Sequence, residues 1–394
     1  MAKVARLTGA RVALTPTHTE RIDLSVESGR ILPFNSRFDD RAGLDLTGHL
    51  LLPGLINAHD HLEFNLFSRL GRGPYANASK WAADIHHPDR SPVKEHRLVP
   101  KDVRLTWGGI KNLLSGVTTV AHHNPYDASV FAARFPVSVV SRYGWAHSLD
   151  FSPDIGDIGK RAPAHWPFIV HAAEGTDGRA QAEIPRLKEL GLLNRRTVLV
   201  HAVGAGPREL ETIRQSGSSI VWCPTANLFT LGRTLSADTI RSHIPIALGT
   251  DSALTGEGDL IDEMKSASVV AGLTAEETYP LVTTKAAGIL RLNAGQGTIR
   301  EGGVADLVAV LDRGQTPAEA LADLRPELVM VRGRVMLASN RFAAQACPRF
   351  KGLEPIHVEG RGTFLIRADV PRLHIAASAA IGPEVRLAGK RICL

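Results

Sequence analysis

Leu51-Leu52-Pro53-Gly54-Leu55-Ile56-Asn57-Ala58-His59-Asp60-His61 is an apolar run that ends in two histidines one residue apart. Side chains alternate faces along a strand, so His59 and His61 point to the same side. At the carboxy-terminal mouth of a parallel barrel that side is the interior, where active sites form. Two imidazoles there can clamp one divalent metal. Taken alone, the pair is weak evidence and reads more readily as two ordinary loop histidines, so its companions decide.

Three further apolar strands end in a residue able to hold a metal or move a proton. Ile169-Val170-His171, Leu199-Val200-His201 and Leu248-Gly249-Thr250-Asp251 follow one another along the chain. Strands are also expected at 117–121, 136–145 and 219–223, with helical patterns at 180–190, 207–215 and 260–271 between them. Strand–helix alternation with continuously apolar strands is the pattern of a parallel sheet buried on both faces. Residues 51–294 are enough chain for a TIM-like (β/α) barrel. About seven strands are legible rather than eight. The stretch 149–167 is rich in Gly, Pro and Asp, so one strand is expected to be irregular or missing.

Both ends of the chain carry short β-rich runs instead. Val4–Leu7, Arg11–Leu14 and Ile22–Glu27 stand at one end, and Ala305–Val310 and Leu328–Met336, with a turn at Gly333, at the other. These are too small to be stable separately. The economical reading joins 1–50 and 295–394 into one small β-sandwich beside a barrel of 51–294, an α/β protein of two units. The role of the tail from Ala346 onward is not legible beyond β-like stretches such as Gly362–Ile366.

Composition narrows the function classes. The 394 residues are 44% hydrophobic and 22% charged, which supports a large core. A net charge of +6 without a block of like charges does not read as a nucleic-acid surface. Cys223, Cys347 and Cys393 make no disulfide framework and no CxxC pair. No membrane-length apolar segment and no signal-like start is present, so a cytoplasmic protein acting on a small molecule is expected.

The segments PGLINAHDHLE, TDSA and GTIREGGVADLV (297–308) together resemble the amidohydrolase superfamily of metal-dependent hydrolases, over nearly the whole chain except about the last fifty residues. The His171-Ala172-Ala173-Glu174 and Trp222-Cys223-Pro224-Thr225-Ala226-Asn227-Leu228 segments are similar to its deaminase and triazine-hydrolase branch, with Ala226 where that branch usually has serine. The resemblance implies a barrel with a flanking β-sandwich and makes a homo-oligomer plausible. It also implies one divalent ion, zinc or iron, on His59, His61, His171 and Asp251. Binuclear branches use a lysine on the fourth strand; the nearest candidate, Lys160, stands in a context that reads as loop, which favours a single metal.

Glu174 is then the proton shuttle, with Asp251 as a second acceptor of the water proton. His201 polarises the attacked group or holds the water. Glu63, His122, His123, His147 and Asn227 are candidates for contact with substrate. Cys223 reads as a packed small residue. The implied reaction is hydrolytic removal of an amino or comparable group from a nitrogen heterocycle or amidine-like carbon. Purines, pyrimidines and triazines are not ranked by the sequence. Hydrolysis of a cyclic amide or lactone, and a scaffold without activity, are the alternatives.

Overall fold

The computed structural model describes residues 5–34, 36, 43–132, 134–343, 345 and 348–394. Val4 and Cys347 therefore lie outside the described residues.

Eight parallel strands carry the centre of the chain. They are β1 (Leu55–Asp60), β2 (Val117–His122), β3 (Ser138–Val139), β4 (Gly144–Trp145), β5 (Phe168–Ala172), β6 (Thr197–His201), β7 (Ser219–Trp222) and β8 (Ile246–Leu248). They form two hydrogen-bonded sheets, β3-β2-β1 and β4-β5-β6-β7-β8. A parallel bridge between Asp60 and Asp251 joins β1 to the end of β8. Among the described residues no ladder joins β3 to β4. The expected count of about seven is corrected to eight, because the single strand read over 136–145 is two strands of two residues each. Segments that short carry no periodicity a sequence could reveal.

The stretch 149–167 also departs from the loop expected of it. It contains the helix Ile155–Arg161, and Lys160 sits exposed in its last turn. The helices Gly178–Glu189, Pro207–Ser216 and Leu260–Ala271 stand where the pattern placed them. Helix Lys101–Leu114, 14 residues long, was not singled out by the pattern; it follows Pro100 and buries most of its length.

The strands of the two chain ends meet. His49–Pro53 pairs in parallel with Arg11–Ala13 and antiparallel with Leu307–Leu311, within a ten-stranded sheet. A second, four-stranded sheet holds Ala5–Thr8, Leu24–Glu27, Arg30–Ile31 and Leu44–Asp45. Alternation along the central strands explains their unbroken apolar sequence. Leu51, Leu307, Ala309, Leu328 and Met330 share a core with Leu7, Leu24 and Val26 of the four-stranded sheet. Their neighbours Leu50, Leu52, Val308, Val310 and Val329 share the larger core with Trp107 and Ile110 of helix Lys101–Leu114. One sheet is thus covered on both faces, by a second sheet and by helices.

Arg332 and Gly333 both have positive φ, at 48° and 73°, where Leu328–Val331 turns into Arg334–Ser339. Positive φ at both central residues suits a two-residue hairpin. The tail extends this sheet: Gly362–Ile366 pairs with Arg334–Ser339, and Glu354–Val358 and Lys390–Cys393 follow outward. Helix Val370–Ile381 then returns to helix Lys101–Leu114, where the Trp107 indole donates to the Leu373 carbonyl at 3.3 Å. No helix among the described residues is long and apolar enough to cross a membrane.

Leu373 is 1% exposed and belongs to the larger core. Leu373→Ala is expected to lower the unfolding free energy by about 2–5 kcal/mol, read by urea denaturation. An unchanged midpoint would mean that the tail helix is not docked.

Candidate metal centre

The carboxy-terminal ends of the parallel strands are tied to one another through their backbones. Thr250 and Asp251 donate to the His59 carbonyl at 2.9 and 3.1 Å, and His61 donates to the Asp251 carbonyl at 3.3 Å. His123 donates to Asp60 at 3.0 Å, His171 to His147 at 2.9 Å, and Ala202 to Ala172 at 3.0 Å. Gly249 completes the approach of β8 to β1: a Cβ there would sit 2.8 Å from the His59 Cβ and 2.9 Å from Val221. Ala173, His201 and Asp251 hold positive φ of 52°, 74° and 54°. Such strain in non-glycine residues costs about 1–3 kcal/mol each and persists only where the surroundings enforce it.

These ties bring four donor atoms together. His171 Nε2 lies 3.2 Å from His59 Nε2 and 3.4 Å from His61 Nε2. Asp251 Oδ1 lies 3.3 Å from His59 Nε2 and 3.4 Å from His61 Nε2. A tetrahedral ion with ligand bonds of about 2.0–2.1 Å has donor–donor edges of about 3.4 Å. His201 belongs to a wider group with His59, His171 and Asp251, whose donor atoms lie within 4.8 Å of one another. All five side chains are buried.

Their protonation suits a cation. Burial pushes the titration of His59, His61 and His171 below the ordinary imidazole range; the neighbouring imidazoles reinforce this at His61 and His171, while Asp251 opposes it at His59 and His61. Burial opposes the Asp251 carboxylate, but the hydrogen bond from His59 and the fields of His201 and His61 outweigh it and keep it ionised. Outer partners set two of the tautomers. His171 Nδ1 donates to the His147 carbonyl at 2.9 Å, which leaves Nε2 bare. His201 Nδ1 donates to Asn227 Oδ1 at 2.7 Å, and its buried Nε2 has no hydrogen-bond partner among the described residues. Three imidazole Nε2 atoms and a carboxylate oxygen converging at 3.2–3.4 Å are a donor set that fits one divalent ion. The centre is a site for one divalent metal.

Glu174 stands beside this set, with Oε1 3.6 Å from His201 Nε2. Burial pushes its carboxyl up to about 7, against the pull of His201. Glu183 was missed by sequence reasoning. Its Oε2 accepts the Ala173 N–H at 2.7 Å and so fixes the turn that presents Glu174. Thr255, also missed, donates to Asp251 Oδ2 at 2.6 Å. Neither stands in a motif, and only the fold brings them close.

The other candidates divide. His147, half-buried, has its ring 4.8 Å from His171 and 5.0 Å from Phe151, and lines a small pocket with Asn77, His171, Glu174 and Glu183. His123 is buried behind His171, ring to ring at 4.2 Å, with Nε2 on the Ala146 carbonyl. Asn227 is likewise buried, its amide occupied by His201 and by Thr234 at 3.2 Å. His122 and Glu63 face each other at 3.4 Å, and Glu63 also accepts from Asn124 at 2.5 Å. That pair is not gathered into the donor cluster. Cys223 is fully buried, and burial pushes its thiol up, as suits a packed residue.

Comparison with known proteins agrees with this geometry. The Amidohydrolase family model matches residues 165–336. The chain is 26% identical over 363 residues to the 5-methylthioadenosine/S-adenosylhomocysteine deaminase of Pyrococcus horikoshii, covering 75% of this chain and 83% of that protein. It is 25% identical over 346 residues to the 5′-deoxyadenosine deaminase of Methanothrix thermoacetophila, covering 74% and 81%. Among solved structures, a variant of atrazine chlorohydrolase from Arthrobacter aurescens, with zinc and atraton, superposes with a TM-score of 0.73 at 17% identity, covering 96% and 100%. An adenosine deaminase from Xanthomonas campestris, with zinc, gives 0.66 at 20% identity, covering 95% and 97%. Fold and centre together fit a metal-dependent hydrolase. Over most of its length the chain is thus similar to members of the amidohydrolase superfamily.

Glu263, 1% exposed, accepts the Thr225 N–H at 3.1 Å and bonds its hydroxyl. Burial pushes its carboxyl from the ordinary 4.5 up to about 8, against the Thr225 bonds. The folded protein therefore holds this proton where the unfolded chain has lost it. The resulting stabilisation is complete below about pH 4.5 and is lost as pH rises to about 8. Glu263→Gln removes the titration, so the variant's melting temperature should fall less than the native one between pH 5 and 8. Parallel melting curves would contradict the assignment.

Proposed function

We propose that the protein is a metal-dependent aminohydrolase that converts the amino-bearing ring carbon of an adenosine-type nucleoside to a carbonyl, releasing ammonia. The observation that carries this reading is the Glu174 carboxyl. It is half-buried beside the donor set, 3.6 Å from His201 Nε2, and pushed up to about 7. A carboxyl that titrates near neutrality can take a proton and give it back. An amine leaves a tetrahedral carbon poorly unless it is protonated, whereas an alkoxide from an ester needs less help. The names of the curated relatives, deaminases of adenosine-like compounds, support the nucleoside.

The ion would be held by His59, His61, His171 and Asp251; zinc suits this mixed nitrogen and oxygen set, and iron is the other candidate. A divalent metal bound there supplies the Lewis acidity that makes water a nucleophile at neutral pH. The rest falls to the chain's own residues. His201, with Nδ1 committed to Asn227, offers Nε2 as an acceptor and so holds the attacking water rather than polarising the ring. Glu174 accepts the water proton and returns it to the departing nitrogen. Asp251, fixed through Oδ2 by Thr255, is a ligand and the second acceptor. His147 and Phe151 border the ring's entry. The same reading takes the eight parallel strands as a barrel opened between residues 139 and 144. It divides the chain into a barrel of 51–294 and a sandwich of 1–50 with 295–394, and sets the enzyme in the cytoplasm.

Ammonia release from adenosine, its 5′-modified derivatives and aminated pyrimidines and triazines, with zinc-loaded protein, tests the reading. Activity on the nucleosides is expected. Hydrolysis of cyclic amides or lactones with no ammonia from any aminated ring would overturn it. Glu174→Gln should lower kcat by about 10²–10⁴-fold with zinc content unchanged. Loss of zinc from that variant would make Glu174 a ligand instead.

A further inference from the structure

Behind the donor set lies a second, entirely buried polar cluster. Asn57, Asp60, Asn65, Lys111, Asn112 and Thr250 are each 3% exposed or less. Asp60 stands between His59 and His61 in sequence, yet its carboxylate belongs to this cluster and not to the donor set. Its Oδ2 accepts from Asn112 at 2.8 Å, Thr250 at 3.1 Å and Asn57 at 3.2 Å. Its Oδ1 accepts from Asn65 at 2.8 Å. Lys111 Nζ donates to Asn65 Oδ1 at 2.6 Å and lies 3.5 Å from Asp60 Oδ2.

A lysine in such a place is expensive unless its charge is answered, and Asp60 is the carboxylate within reach. The cluster spans the elements that carry the ligands. Asn57 and Asp60 are on β1 with His59, Asn65 follows His61, and Thr250 precedes Asp251. Lys111 and Asn112 reach them from helix Lys101–Leu114. Asn57 also accepts the Thr250 N–H at 3.2 Å and donates to Thr250 Oγ1 at 2.9 Å, so β1 and the end of β8 are bonded through side chains as well as backbone.

We propose that Lys111 and Asp60 form an ionic strut that positions His59, His61 and Asp251 for the metal from the side away from substrate. The proposal rests on the metal reading above. Lys111 touches neither the donor atoms nor the pocket, and acts through Asp60 and Asn65. Removing its charge takes away the one cation that faces the buried Asp60 side chain, together with the bond to Asn65, and loosens the hold of the cluster on segment 59–61. Outer partners of metal ligands typically govern metal affinity by about 10–100-fold.

The test is zinc affinity by chelator competition, together with the visible spectrum of the cobalt-substituted protein, which reports ligand geometry independently of turnover. Lys111→Met should weaken zinc by about 10–100-fold and alter the cobalt bands. Asp60→Asn combined with Lys111→Met should recover most of the loss. The amide introduced by Asp60→Asn can keep its oxygen towards Asn57, Asn112 and Thr250, and Asn65, freed from the lysine, can turn its own oxygen to the new NH₂. Should Lys111→Met fail to fold, Thr250→Val removes one bond to Asp60 without unpairing a charge, and the same two readings apply. Native zinc affinity and an unshifted cobalt spectrum in the folded variant, even with lowered thermal stability, would overturn the strut. A native protein that binds no divalent metal would instead overturn the metal reading.

Discussion

Four donor atoms within 3.2–3.4 Å of their neighbours, on three segments far apart in sequence, are the constraint on which the site depends. Nothing in isolated side chains favours such an arrangement. Neutral imidazoles beside one another form few hydrogen bonds, and an ionised Asp251 among them is costly to bury. What holds them is backbone: the ends of β8, β1 and β2 are cross-bonded, as are those of β4, β5 and β6. The positive φ of Ala173, His201 and Asp251 is the conformational cost of turning each chain sharply inward at that point. The favourable term is absent from the protein alone and is supplied when a cation occupies the centre.

The support reaches outward in layers. His171 and His201 are oriented by a carbonyl and an amide, Asp251 by Thr255, and the Glu174 turn by Glu183. Beyond them the inner strands of the ten-stranded sheet, buried on both faces, back helix Lys101–Leu114, and that helix carries Lys111 and Asn112 to the rear of β1. The tail seals the far side of the same helix through Trp107 and Leu373. The β-rich ends of the chain therefore bear on the chemistry through one helix rather than through any residue in the pocket.

Much of this was legible in the sequence, for a physical reason. Long apolar strands closing on a histidine or aspartate carry both a period and a reactive end, so β1, β5, β6 and β8 could be read with their donors. The two-residue strands β3 and β4 carry neither, and the parallel strands are undercounted from sequence. The run Leu50-Leu51-Leu52 shows where pattern alone misleads: its unbroken apolar character, elsewhere the mark of a parallel strand, here arises in a mixed sheet covered on both sides. Asn227 could be picked out by motif, but that its amide is spent on His201 depends on Thr234, seven residues on. Glu183 and Thr255 lay in no pattern, because their partners are peptide and carboxylate groups brought near by the fold. Lys111 is an ordinary lysine in sequence and one of the most buried in the structure, at 2% exposure.

The geometry leaves two overlapping quartets, which share His59, His171 and Asp251 and differ in His61 or His201. In the proposed reading His61, 3.4 Å from both His171 and Asp251, is the ligand and His201 holds water. Anomalous diffraction at the zinc edge from crystals of the zinc-loaded protein tests this most directly. The account predicts one ion per chain, bonded to His59, His61 and His171 through Nε2 and to Asp251 Oδ1, with His201 outside bonding distance. Two ions, or one bonded to His201 in place of His61, would contradict it.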